Sequence, residues 1–210
     1  PHLSWYTMKG QAKRDFPASI LHQSAWHIEF SAIEDYFSRL QLVMQKGTAI
    51  CEVLVISPIE SVWSQIHPGW VNMHDAKDPD IIKLQRDYEQ LFNWLCKKHI
   101  DFDYGDEDFI KRMGQVEKQS GCPVLRIGQA MYQSVIVPPM TTIRSSTLQL
   151  LEEFVSIGGN VIFAGKVPDF VDALKSDKAM LVARKCTECI FSQDAVLESL
   201  YFDRSSVVEI

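Results

Sequence analysis

The 210-residue sequence lacks every short motif that would declare a chemistry outright. It has no Gly-x-Gly-x-x-Gly and no Walker loop, so nothing in it is built to cradle a nucleotide phosphate. It has no Gly-x-Ser-x-Gly elbow for a serine nucleophile. No apolar run approaches the ~20 residues that span a bilayer, and no secretory leader is legible. Positive charge is in deficit: Lys plus Arg number 21 against 27 Asp plus Glu, a formal net charge of −6. A nucleic-acid binder needs a basic face for phosphate contacts, so neither nucleic acid nor membrane is an expected partner. The five cysteines, Cys51, Cys96, Cys122, Cys186 and Cys189, are odd in number and irregular in spacing, which argues against a disulfide framework. Internal repeats and low-complexity segments are absent. Because it begins at Pro1 and not at Met, the chain is read as part of a longer one.

What is present is ordinary core-forming material, 46% apolar residues. Its most legible stretch runs from Met131 to Pro168. An apolar strand through Ser134-Val135-Ile136-Val137 is followed by Pro138-Pro139, a polar turn, an amphipathic helix over 146–157, and a second apolar strand through Val161-Ile162-Phe163-Ala164-Gly165. Neither strand alternates apolar with polar, which places both inside a sheet covered on two faces. A strand, a helix and a strand on so short a path imply a right-handed parallel crossover.

The flanking sequence extends this unit. Ser31-Ala32-Ile33-Glu34 reads as a capping box. It opens a helix with Ile33, Tyr36, Phe37, Leu40, Val43 and Met44 on one face, closed by Gly47. Residues 50–56 read as a central strand leading to Ser57-Pro58-Ile59-Glu60-Ser61, and 62–77 as an excursion. Asp78-Pro79 starts a helix carrying Ile81, Leu84, Tyr88, Leu91, Phe92 and Leu95. Residues 100–104 form a short strand, Asp106 caps a helix through Met113, and residues 124–128 pair with Met131 onward as a hairpin. A helix is expected over 168–174, a strand over 180–183 and a helix over 194–201. Cys51 and Cys96 are expected as buried small hydrophobes. The alternation of strands and helices predicts an α/β fold: a flavodoxin-like, three-layer, doubly wound and mostly parallel sheet, with an N-terminal arm and helix.

Three constellations resemble chemistry without completing it. Cys186-x-x-Cys189 lacks the second pair that zinc requires, and reads as chance spacing. His27-x-Glu29 lies at the opposite end of the chain from those cysteines, with Lys185 where a deaminase would have Pro. The acidic run Asp101 to Asp108 has Gly105 where a calcium loop needs an oxygen ligand, so it reads as a strand end followed by a helix N-terminus that favours negative charge. No catalytic residue, cofactor or metal is expected.

Taken together, Trp5-Tyr6, Lys13-Arg14-Asp15-Phe16-Pro17, Gln23-Ser24-Ala25-Trp26, Asp35 to Leu40, Val53 to Trp63, Asp101 to Tyr104 and the 132–138 and 158–165 strands carry a resemblance. The chain resembles the region after the catalytic barrel of large bacterial glycoside hydrolases, akin to β-galactosidases with a trimerisation domain and to α-L-rhamnosidase-like enzymes. The resemblance implies that residues 1–46 are the tail of a catalytic barrel and residues 47–210 a class I glutamine amidotransferase-like domain. It also implies the barrel of the same polypeptide as a partner, a carbohydrate substrate and a homo-oligomer contact, and it leaves the compartment open between bacterial cytoplasm and periplasm. A working amidotransferase needs a Cys at a strand-to-helix elbow and a later His-x-Glu. This chain has neither in place, so that activity is expected to be absent. The two carboxylates of glycoside hydrolysis are expected on the barrel, outside this sequence. If residues of this chain reach sugar, the arm and the loop of the first strand supply them: His2, Trp5, Tyr6, Arg14, Trp26, Glu60 and Trp63. The alternative is a stand-alone flavodoxin-like hydrolase or binder using the C-terminal ends of its strands, which predicts a polar pocket there.

Overall fold

The computed structural model describes residues 25–47, 50–66 and 78–200. The chain divides into two compact units, residues 1–49 and 50–210.

In the first unit the described residues form one helix, α1, Phe30–Met44. The capping box is not formed. Residues 25–29 already turn, Glu29 sits in helical conformation at φ −76° and ψ −13°, and no side chain caps the end. Ser31 therefore falls inside the helix, where its hydroxyl donates to the Ile28 carbonyl at 3.2 Å. The C-cap is Gln45, two residues before Gly47. No residue of α1 is buried, and its apolar face stands open, from Leu40 at 41% to Met44 at 72% exposure.

The second unit is built on five parallel strands: β1 (Val53–Ile56), β2 (Phe102–Gly105), β6 (Ser134–Val137), β8 (Asn160–Ala164) and β11 (Thr187–Cys189). Their spatial order is β11-β8-β6-β1-β2. Numbered along the chain within this sheet, that is 2-1-3-4-5, the flavodoxin-like order. The three inner strands are buried at every residue, which is why their sequences show no alternation. Odd and even positions still serve different layers. Val53, Val55, Ile136 and Ile162 meet Leu91 and Leu95 of α3 (Pro79–Lys97), together with Val196 of α7 (Gln193–Ser199). Leu54, Ile56, Val135, Val137 and Phe163 share the opposite core with Ile110 of α4 (Glu107–Met113), with Leu151 and Phe154 of α5 (Ser145–Ser156), and with Val182 of α6 (Lys178–Ala183). Asp78 caps α3 by accepting from Asp80 N and Ile81 N, with Pro79 opening the helix. Asp106 likewise caps α4. Gly158, at φ +98°, ends α5 and returns the chain into β8. A Cβ on Gly159 would lie 2.4 Å from the Phe154 ring, so the turn closes directly onto the core.

Two smaller sheets decorate this body. An antiparallel meander, β3 (Gly114–Gln119), β4 (Cys122–Ile127) and β5 (Ala130–Tyr132), lies between α4 and β6 in the chain. The expected hairpin is its β4–β5 half. The other sheet joins β7 (Thr142–Ile143), β9 (Phe170–Val171) and β10 (Leu174–Lys175).

Several expectations are corrected. Residues 170–175 form the β9–β10 hairpin and not a helix. Asp172 and Ala173, at φ 51° and 61°, make its two-residue turn, and β9 is held by pairing with β7. Residues 178–183 form a helix and not a strand, because Ala179, Val182 and Ala183 are the side chains it buries, at helical spacing. The fifth strand is β11, a polar edge strand running into the second cysteine of the Cys-x-x-Cys pair. Residues 59–63 form a short helix, α2 (Ile59–Trp63), which takes in part of the segment expected to follow the first strand and the start of the excursion expected over 62–77. Residues 67–77 and the expected helix end at Tyr201 lie outside the described residues. Cys96 is exposed: it sits about 100° around the helix from Leu95, off the buried stripe. Cys51 is half-buried.

Candidate functional site

The described residues of the second unit line an open cavity of about 790 Å3. It lies beyond the C-terminal ends of β1 and β6, where connections leave the sheet toward opposite faces. Open α/β sheets place ligands at this switch point. One wall comes from α2, the others from residues 142–146 with Gln149, from Lys111 on α4 and from the Asp172–Ala173 turn.

A single hydroxyl ties two of these walls together. Ser61 is fully buried. Its Oγ accepts from Thr141 N at 2.9 Å and Thr142 N at 3.0 Å, and donates to the Thr142 carbonyl at 3.2 Å. The segment following β6 is thereby pinned to α2. Beside this latch, Arg144 donates through Nε (2.8 Å) and Nη2 to Glu60 Oε1, across 84 residues of chain. The pair holds the Arg144 guanidinium above its ordinary pKa, and among the described residues no hydrogen bond reaches Glu60 Oε2.

Arg144 is also the N-cap residue of α5, but its side chain caps nothing. Asp172 takes that role from another element, accepting from Ser145 N at 3.0 Å. Hydrogen bonds from the Ser145 side chain and backbone hold the Asp172 carboxyl below its usual range. The left-handed backbone at Asp172 and Ala173 brings the carboxylate to this position, and Ala173 N donates to Thr142 Oγ1 at 3.0 Å.

Glu107, the first residue of α4, is 1% exposed. One carboxyl oxygen accepts from Arg144 N at 2.8 Å, while Oε1 and the nearby Thr147 hydroxyl are buried without a well-formed hydrogen bond. Burial raises the Glu107 pKa, and Thr147 and Arg144 N only partly oppose it. Glu107 does not line the cavity; it fixes the backbone from which Arg144 projects.

Among the described residues lining the cavity there is no His or Cys. Both lining carboxylates are engaged, Glu60 by Arg144 and Asp172 by the start of α5. Ser61 is locked by three hydrogen bonds. The described residues hold no group of three His, Cys, Asp or Glu able to bind a metal ion. Burial pushes the Cys186 thiol up to about 11 and Cys189 above its ordinary value, away from the thiolate that redox work requires.

Of the residues selected from the sequence, Glu60 and Trp63 are brought together on one cavity wall. Trp26 belongs to the first unit and is 52% exposed. His2, Trp5, Tyr6 and Arg14 lie outside the described residues. Lys111, Arg144 and Asp172 were not anticipated. For Arg144 the available signal was its place just before the Ser-Ser-Thr start of α5, within what reads as a polar turn. For Asp172 there was none, since a helix was expected there. The chain matches no family model, no curated protein and no solved structure.

Proposed function

We propose that this chain is a non-catalytic α/β companion to the barrel of a glycoside hydrolase, packing beside the barrel and contributing to its sugar cleft or to oligomer contacts. The observation that carries this reading is α1. Ile33, Tyr36, Phe37, Leu40, Val43 and Met44 form a continuous apolar face, each at least 41% exposed. A soluble helix with such a stripe requires a surface to cover it, and the last helix of a barrel has that surface in the rest of the barrel. The flavodoxin-like strand order agrees with it, being the one the resemblance implies.

A second reading, a small-molecule binder acting alone, is favoured by the cavity at the strand ends. One experiment separates the two. The coding sequence upstream of Pro1 is read, and the 210-residue chain is assayed on aryl glycosides. The companion reading expects an in-frame barrel-sized extension carrying two catalytic carboxylates, and no turnover by the chain alone. Initiation immediately before Pro1, or turnover that survives purification controls, would overturn it.

A further inference from the structure

We infer that the cavity at the ends of β1 and β6 is a binding site for a neutral saccharide unit. Its size lies in the ~300–1,000 Å3 range of small-molecule sites.

Its charges balance. Lys111 and Arg144 face Glu60 and Asp172, so neither a phosphate nor a divalent cation gains from entering. The fixed ion pair and the cap occupy Arg144, Glu60 Oε1 and one oxygen of Asp172. What remains available is a mixture of donors and acceptors: Glu60 Oε2, the Lys111 ammonium, the Ser146 hydroxyl and the Gln149 amide. Among the described residues the Lys111, Ser146 and Gln149 side chains make no hydrogen bond or ion pair, and Glu60 Oε2, on the carboxylate that pairs with Arg144, accepts no hydrogen bond. That mixture suits a ligand whose hydroxyls both donate and accept.

Trp63 supplies the remaining feature. It lines the same cavity and is 56% exposed. An indole face carries negative quadrupole charge, which attracts the weakly positive C–H face of a pyranose. Charge neutrality, polar groups of both kinds and an open aromatic face are together the recognition chemistry of a neutral sugar. The Ser61 latch and the Arg144–Glu60 pair hold the walls in place before any ligand arrives, which lowers the ordering cost of binding.

The choice of saccharide deepens the companion reading and rests partly on it, but the two are tested apart. The 210-residue chain is titrated with a panel of neutral methyl glycosides, with inorganic phosphate and a uronic acid as charged controls. Binding is followed by the indole N–H resonance of Trp63 and by calorimetry. At least one neutral glycoside is expected to shift that resonance saturably, and phosphate is not. Trp63→Ala is expected to weaken binding at least tenfold, and Gln149→Leu several-fold. Both side chains are exposed, so the variants should retain the wild-type circular dichroism and melting temperature.

The inference is overturned if no glycoside in the panel binds, if phosphate or the uronic acid binds more tightly, or if Trp63→Ala binds as well as wild type. Glycoside binding without an upstream barrel would remove the companion role and leave the saccharide site standing. A barrel without glycoside binding would do the reverse.

Discussion

Helices α1 and α3 carry the same kind of message and meet opposite fates. Both repeat large apolar side chains at helical spacing. In α3, Ile81, Leu84, Leu91 and Leu95 are at most 8% exposed. In α1, no residue is buried. They also start differently. The Asp78 carboxylate takes the first amides of α3, whereas α1 grows out of a turn with no side-chain cap. Periodicity names the face that must be covered. It does not name the cover. For α3 the cover is a sheet in its own unit, and for α1 the described residues of its unit provide none.

The contrast is broken most directly by deleting one leucine from each helix. Leu95→Ala, at a fully buried position, is expected to cost about 2–5 kcal/mol in urea unfolding of the 210-residue chain. Leu40→Ala is expected to stay within about 0.5 kcal/mol, as for an exposed site. Equal losses would mean that α1 is packed as tightly as α3. In a longer protein containing a barrel, the Leu40→Ala loss should grow toward that of Leu95→Ala.

A smaller difference concerns the helix starts. Asp78→Ala removes a working N-cap and is expected to cost about 1 kcal/mol. Ser31→Ala removes a hydroxyl that only bonds back to Ile28, and should leave the unfolding midpoint nearly unchanged. A loss at Ser31 as large as that at Asp78 would restore the capping box.

The smallest effect depends on pH and belongs to the second unit alone, since α1 buries no charge. Burial raises the Glu107 carboxyl above its ordinary 4.5, so the folded chain keeps this proton to higher pH than the unfolded chain. Stability from this group is full below 4.5 and is lost as pH rises through the folded-state value. Glu107→Gln keeps a carbonyl acceptor for Arg144 N and cannot ionise. It should melt above wild type at pH 7–8 and lose that advantage near pH 4. A constant difference across the range would show that Glu107 does not titrate in this way.

Much of the sheet is legible in the residues because its inner strands are buried on both faces. Val53 to Ile56, Ser134 to Val137 and Asn160 to Ala164 read as strands for that reason. The edge strand Thr187–Cys189 does not, because it runs at the sheet margin with polar residues. The two-residue strand Phe170–Val171 is held by pairing with Thr142 and Ile143, a partner some 28 residues away, and Leu174–Lys175 by pairing back onto it. The site divides in the same manner. Glu60 and Trp63 stand out by residue type and by following a strand. Arg144, Asp172 and Lys111 become partners in a site only once separate loops have been brought to one end of the sheet.

The residues alone determined the α/β class, the inner strands, the caps at Asp78 and Asp106 and the stop at Gly158. Each of these depends on neighbours within a few positions, through side-chain period, local hydrogen bonding or backbone freedom. Tertiary structure decided the 2-1-3-4-5 order, the Ser61 latch, the Glu60–Arg144 pair and the cap that Asp172 lends to α5. Those contacts join residues 27 to 84 positions apart, and only the assembled sheet brings them within a hydrogen bond of one another.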